Sequence, residues 1–342
     1  VENTIENGDG MKKLWHAALV AGALVTTGQA FAADCGKVVI GEMNWASGEF
    51  LARLDGMILE EGYGCEVDYL TAGTVPQITS MNEKGTPTFA SEVWANASKK
   101  LIDSAEAEGR LARLNRKPID GAGEGWWIDP AMMEKHGFKT VDEVLARPDL
   151  FPHPEDPSKG GFHTCPAGWG CELANANMFR AFDMEAKGWK MVEPGSGAGL
   201  DGSIAKAGER GEPWFGYYWA PTTMIGKYNL QPLDFNEGYD AENWDACIVL
   251  PVEDCANPQR TRWTTSEVVT LAQASFVNDS PTAANYVKTR SLTVPQLGKY
   301  LKYMDANQAT GEDAAIEFLM NEEAIWSNWV TPEAAERIKN AL

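Results

Sequence analysis

The stretch from residue 37 to residue 94 switches repeatedly between two periodicities, and that switching restricts the fold more than any other feature. "KVVIGEMNW" is a short apolar, β-branched run that reads as a buried strand ending in a loop. "EFLARLDGMILEEGYG" then sets apolar residues at helical spacing and stops on glycine. "CEVDYLTA" reads as the next strand, "VPQITSMNEKG" as a short helix and "PTFASEVW" as a third strand. Strands separated by helices pair in parallel, and the crossover helices cover the sheet. Ligands of such sheets bind at the carboxyl ends of the strands. Trp45 and Trp94 both fall at those ends.

From about residue 124 the texture changes. "GWWIDPAMMEKHGF" and "TVDEVLARPDLF" predict a second α/β unit, followed by the Pro/Gly-rich "PHPEDPSKGGFHTCPAGWGC" and a strand, "PWFGYYWAP", that ends at Trp219. "TTSEVVTLAQASFV" reads as a strand returning to the first unit, and the chain from Ser280 onward is helical. Thr331 before Pro332 is a helix start, a cap residue with proline in the first turn. A length of 342 residues favours two domains over one. The expected layout is a leader over 1–33, a discontinuous first lobe over 34–123 and 263–342, and a second lobe over 124–262. Two crossover strands join the lobes.

The leader has the form of a secretory signal. "MKKLWHAALVAGALVTTGQAFA" (11–32) begins with two lysines, continues through an apolar run and ends in Ala30-Phe31-Ala32. The run is too short to span a membrane comfortably, so a cleaved signal and a periplasmic location are expected. Export makes the six cysteines legible, because an even set in an oxidising compartment forms disulfides. Short loops favour Cys165–Cys171 and Cys247–Cys255, leaving Cys35–Cys65, out of roughly fifteen connectivities. Zinc spacings are absent. "PHPEDPSKGG" and "PVEDC" gather carboxylates and carbonyls that would suit a structural calcium, without EF-hand spacing; no other cofactor is expected. A formal charge of −20 makes nucleic acid and anionic membrane poor partners.

Thirteen tryptophans are present, and a tryptophan is usually a packing residue. Trp244, Trp263, Trp326 and Trp329 are read that way. Trp45, Trp94, Trp169 and Trp219 differ, since each follows a strand or sits in a glycine loop. Several aromatic faces meeting in a cleft make a box for a quaternary ammonium, which has diffuse positive charge and no donors. Each desolvated face contributes on the order of 0.5–2 kcal/mol. Four faces therefore supply most of the roughly 8 kcal/mol that micromolar affinity needs.

"TCPAGWGCE", "GERGEPWFGYYWAP" and "GAGEGWWID" resemble the periplasmic glycine betaine-binding proteins of ABC importers, over nearly the whole chain after the leader. The resemblance implies a two-lobed α/β periplasmic-binding-protein fold of type II. Each lobe would be a mainly parallel sheet flanked by helices, with two crossover hinge strands. It implies a monomer that is not an enzyme and that delivers a small methylated amine to an ABC permease. Trp94, Trp169 and Trp219 match the family's trimethylammonium cage, and the backbone N–H groups of Gly170 and Cys171 its ligand-carboxylate site. The loop disulfide would fix the Trp169 ring.

Two positions depart from that pattern. A family histidine corresponds to Ser98, and a family glutamine to Glu124. A carboxylate beside a betaine carboxylate repels it unless protonated. The chain is similar here to marine-type trimethylamine N-oxide-binding proteins, which use four tryptophans and a glutamate. Trp45 would be the fourth wall, and the N-oxide oxygen would share a proton with Glu124. Glycine betaine is the alternative ligand, as is choline with Glu124 accepting its hydroxyl. Either Trp126 or Trp127 is expected to line the cleft, with Trp127 the choice. The plainer reading of Glu124 is a solvated hinge residue.

A rival from another class is a secreted carbohydrate-binding protein or glycosidase. Tryptophans stack on sugars, and Glu124 with Asp129 would form the acid/base pair. Against it, these tryptophans are flanked by Ala, Gly and Pro rather than by polar side chains for sugar hydroxyls. Cys171 as a nucleophile would be silenced by its disulfide. No phosphate loop or nucleophile elbow is present.

Overall fold

The computed structural model describes residues 35–342; the leader at 11–32, with its Ala30-Phe31-Ala32 ending, lies outside the described residues. Each strand expected between residues 37 and 94 forms. β1 (Lys37–Met43) pairs in parallel with β2 (Glu66–Ala72) along its whole length, from Lys37 opposite Glu66 to Met43 opposite Ala72. β3 (Phe89–Trp94) joins the other edge of β1, also in parallel. β4 (Leu111–Asn115) and the two-residue β5 (Ile119–Asp120) follow.

The chain then builds a second sheet from β6 (Gly123–Ile128), β7 (Gly160–His163), β8 (Trp189–Val192), β9 (Phe215–Ala220) and β10 (Gln231–Pro232), in the order β10-β6-β9-β7-β8. β11 (Val268–Gln273) returns to the first sheet, whose order is β2-β1-β3-β11-β4, and β12 (Leu292–Thr293) pairs with β5. In each sheet four strands run one way and a single strand runs against them. β11 is antiparallel to β3 and β4, and β6 is antiparallel to β9 and β10. These are the strands by which the chain enters one sheet from the other. They arrive without a covering helix to turn them round, so the parallel-crossover rule does not bind them.

Helices cover the sheets as the apolar spacing predicts. Ala46–Met57 buries Phe50, Leu51 and Leu54 against Gly311–Asn321, whose Phe318 ring meets Phe50 at 6.0 Å. The last helix starts at Thr331, whose side chain accepts the Ala334 N–H. In the second sheet Trp126 fills the core, with Phe162, Phe182, Phe215 and Phe235 rings 4.8 to 5.9 Å away. Its indole N–H donates to Asn175 Oδ1 at 2.9 Å.

All three expected disulfides are formed: Cys35–Cys65, Cys165–Cys171 and Cys247–Cys255. The calcium expectation finds no support. Among the described residues no group of three or more His, Cys, Asp or Glu side chains converges to make the oxygen cage the ion needs. In the 152–161 loop, Asp156 Oδ1 accepts from the Ser158 hydroxyl at 2.6 Å instead. Among the described residues no helix is long and apolar enough to cross a membrane.

A buried ion pair ties the first sheet to the C-terminal helices. Arg290 Nε and Nη2 each donate to Asp55 at 2.9 Å, both side chains are wholly buried, and Tyr286 adds a 2.6 Å hydrogen bond to the same carboxylate. Arg290 also reaches the Ser91 carbonyl of β3 and the Thr270 hydroxyl of β11. Removing one partner strands the other charge in the core. Arg290→Leu is therefore expected to cost about 3–5 kcal/mol of unfolding free energy, read by urea titration. A loss below about 1 kcal/mol would show that the pair is not uncompensated without the guanidinium.

Candidate ligand-binding site

Four tryptophans from four parts of the chain meet where the parallel strands of both sheets end. Trp45 follows β1 and precedes the helix Ala46–Met57; Trp94 is the last residue of β3. Trp169 precedes the helix Gly170–Ala181 beyond β7, and Trp219 lies one residue before the end of β9. The β9 strand thus runs one residue further than expected. Trp45 and Trp169 lie 4.9 Å apart at 67°, and Trp169 and Trp219 lie 5.1 Å apart at 79°, both edge-to-face. Such pairs are favourable beyond their area burial.

These four rings line one cavity with Glu124, Gly170 and Cys171, so seven of the eight expected site residues come together. Thr74, Ala97, Tyr217 and Trp263 complete the wall. The free volume is about 30 Å³, against the roughly 10–15 Å³ that one water demands. That is room for about two or three water molecules. Among the described residues no Lys, Arg or His side chain contributes to the wall.

Loops from the two sheets approach at backbone distance around this cavity. The Val75 N–H donates to the Gly168 carbonyl at 3.1 Å. A Cβ at Gly73 would stand 2.8 Å from that carbonyl oxygen, and one at Gly170 only 2.5 Å from the Ala97 Cβ. Trp169 itself crosses over, its indole N–H donating to Asn44 Oδ1 at 2.8 Å. The heptapeptide holding it is fixed at both ends by the Cys165–Cys171 disulfide and inside by Glu172, which accepts the Gly168 N–H at 2.9 Å.

Glu124 is a half-buried wall residue at the start of β6. It pairs with Trp219 across the β6–β9 ladder. Oε2 accepts the Tyr217 hydroxyl at 2.8 Å and Oε1 the Ser266 hydroxyl at 3.0 Å. Burial pushes its carboxyl up to about 7, with the two hydroxyls opposing. Near neutrality it therefore exists as both acid and carboxylate. Burial and the adjoining Glu124 charge push Tyr217 well above its ordinary value, so that phenol stays a donor.

Three expectations need correction. Trp127 does not line the cavity: strand alternation turns it to the face opposite Glu124, where its N–H donates to the Tyr218 carbonyl at 2.9 Å. Trp126 is core. Trp263, expected to pack, is a wall residue, 5.3 Å from Tyr217 and 5.2 Å from Trp244. It comes from an irregular segment with no periodicity to reveal it. Finally, Asp129 cannot complete a glycosidase pair: Oδ1 accepts the Met132 N–H as a helix cap and Oδ2 accepts the Trp214 N–H. Ser98 is also absent from the wall, where its neighbour Ala97 stands.

Sequence reasoning missed Glu92, which lies beneath the cavity. It is fully buried, and its Oε1 accepts from Trp45 Nε1 at 2.8 Å, Trp94 Nε1 at 2.8 Å and the Ser47 hydroxyl at 3.0 Å. Alternation along "SEVW" sets residues 92 and 94 on one face, a signal available in the sequence. A larger cavity of about 480 Å³ adjoins the aromatic one and shares Trp45 and Trp219 with it. Its carboxylates are engaged, Glu42 by Arg53 at 2.6 Å and Asp201 by the Tyr218 hydroxyl at 2.6 Å.

A pair of sheets linked by reversed crossover strands, closing over a small aromatic cavity at their strand ends, is the architecture of a solute-binding protein. The chain belongs to the family of substrate-binding domains of ABC-type glycine betaine transport systems, whose model matches residues 36–321. It is 24% identical over 328 residues to a trimethylamine N-oxide-binding protein of Pelagibacter ubique (strain HTCC1062), covering 93% of this chain and 99% of that one. Among solved structures, a glycine betaine/L-proline-binding protein of Borrelia burgdorferi superposes with a TM-score of 0.70 at 16% identity, over 88% of this chain and 99% of that one. A choline-binding protein of an ABC transporter in complex with choline gives a TM-score of 0.69 at 18% identity, over 90% and 98%. As a family member the chain is an extracytoplasmic transport component that works with an ABC permease, not an enzyme.

The Glu124 shift has a testable consequence. An unfolded glutamate ionises near 4.5, while the folded one holds its proton to about 7. Between those values the unfolded chain releases a proton that the folded chain keeps, so stability falls as pH rises and levels off above about 7. The melting temperature of the ligand-free protein, measured relative to Glu124→Gln, should drop between pH 5 and pH 7.5. Parallel curves for the two proteins would show that Glu124 is an ordinary carboxylate.

Proposed function

We propose that the protein captures a small methylated amine, trimethylamine N-oxide, in the aromatic cavity and presents the closed form to an ABC permease. The observation that carries this reading is the wall itself: five indoles and one carboxyl of near-neutral pKa, with no basic side chain. Indole faces suit a trimethylated nitrogen and give nothing to a sugar hydroxyl. The N-oxide oxygen is a single, strong acceptor, and protonated Glu124 is a donor within the wall. A carboxylate-bearing ligand would instead face Glu124 across a cavity with no cationic side chain.

One observation favours glycine betaine as a second reading. Gly170 and Cys171 are the first residues of the helix Gly170–Ala181, and both reach the cavity. Helix N-termini present free N–H groups and positive potential to an anion. Choline would need Glu124 as an acceptor for its hydroxyl, in the ionised form.

Both walls come from one chain, which supports action as a monomer. The crossing segments near residues 123 and 263 would be the hinges between lobes 34–123 plus 263–342 and 124–262. Binding energy in such a device shifts an open–closed equilibrium rather than a reaction barrier. The signal at 11–32 would deliver the protein to the periplasm.

Calorimetric titration with trimethylamine N-oxide, glycine betaine and choline tests the reading. Trp169→Ala and Trp219→Ala should each weaken the best ligand by more than about tenfold, the size of one lost cation–π face. Glu124→Leu, which keeps no donor, should weaken the N-oxide by about three- to tenfold, the size of one hydrogen bond, and spare glycine betaine. Unchanged affinity in both tryptophan variants would remove the cage. An N-oxide affinity unmoved by Glu124→Leu would pass the oxygen to another partner.

A further inference from the structure

Glu92 forms no ion pair among the described residues, yet it is fully buried on β3 beneath the cage. One of its oxygens accepts the indole N–H groups of Trp45 and Trp94, each at 2.8 Å. The other oxygen is buried without a hydrogen-bond partner. Burial raises its pKa, opposed by the Trp94, Trp45 and Ser47 donors and by the charge of Arg290. A glutamine would hold the same two N–H groups without the cost of burying an acid. The carboxylate differs from that amide in charge. An anionic acceptor makes shorter and stronger hydrogen bonds than a neutral one. It also draws the N–H proton and leaves the ring more electron-rich, and cation–π attraction grows with the negative potential of the face. The cage holds its own comparison, because the Trp169 indole donates to Asn44, a neutral amide, at the same 2.8 Å, so length does not tell the two acceptors apart and the charge must be read another way.

We propose that Glu92 is a positioning residue of the aromatic cage, a buried anion that locks the Trp45 and Trp94 rings through one shared oxygen and raises the affinity of their faces for a cation. The inference rests on the methylated-amine reading and adds to it an element selective for charge. The cage would separate a trimethylated nitrogen from an uncharged group of the same shape. Shape alone, set by packing, would treat the two alike.

The test compares tetramethylammonium with tert-butanol, a compact methylated probe without charge, in wild type and Glu92→Gln. Tetramethylammonium affinity should fall by about five- to tenfold, while that of tert-butanol changes less than about twofold. An equal loss for both probes, or no loss for the cation, overturns the proposal. The wild-type protein gives a second readout that does not depend on the variant folding. Indole N–H resonances, assigned with Trp45→Phe and Trp94→Phe, should lie downfield of the Trp169 resonance. Positions at or upfield of Trp169 would show that no anion holds them. Trp219→Ala separates this inference from the reading beneath it, since Trp219 has no bond to Glu92. Loss of tetramethylammonium binding there, beside an unaffected Glu92→Gln, sinks the Glu92 role alone; retention in Trp219→Ala sinks the cage.

Discussion

The structure turns on one crossing: the Trp169 ring, carried by the loop beyond β7, rests on Asn44 and Trp45 beyond β1. The cavity exists because of that contact, since its walls alternate between residues presented by the first sheet and residues presented by the second. Everything near it serves close approach. Gly73 and Gly170 lack the side chains that would hold the loops apart, and Gly168 takes a φ of +84° that lets its carbonyl meet the Val75 N–H. The disulfide removes the remaining freedom of the heptapeptide, so the ring arrives already oriented. Preorganisation of this kind lowers the ordering cost of binding.

Much of the fold was legible because its signals are local. The apolar run in "KVVIGEM" and the helical period in "EFLARLDGM" each need only about ten residues, and the cap at Thr331 needs about four. The reversed direction of β6 and β11 was not legible, because strand direction depends on which sheet the chain has just left. The four principal tryptophans could be picked out by their positions after strands or in a glycine loop. Trp127 was misjudged by adjacency to Glu124 in sequence, where alternation along β6 places it on the other face. Trp263 had no local signal, since its segment belongs to neither sheet and reaches the cavity through contacts with Tyr217 and Trp244.

The two glutamates show how different placement around one cavity yields different chemistry. Glu124 faces the cavity and takes two hydroxyl donors, one on each oxygen, so it can gain or lose a proton without breaking the wall. Glu92 faces the rings from behind and concentrates three donors on one oxygen. Its orientation is set by two indoles whose other surfaces belong to the cavity. The first is placed to meet a ligand's polar atom, the second to hold the faces that meet its methyl groups.

A cavity of about 30 Å³ bounded by five indoles also limits what closure can select. Shape accepts any compact group, and an indole face distinguishes poorly among methylated nitrogens, so polar groups must decide among ligands sharing that head. On this wall those groups are few: the Glu124 carboxyl, the Thr74 and Tyr217 hydroxyls and the amides that open the helix at Gly170. Tyr217 is already donating to Glu124, whereas the Trp263 indole N–H is a buried donor without a partner among the described residues. A ligand oxygen therefore has three positions, against Glu124, against the helix end or against the Trp263 N–H, and the first two differ in sign of charge. The proton on Glu124 decides whether those two positions compete or whether one repels what the other attracts.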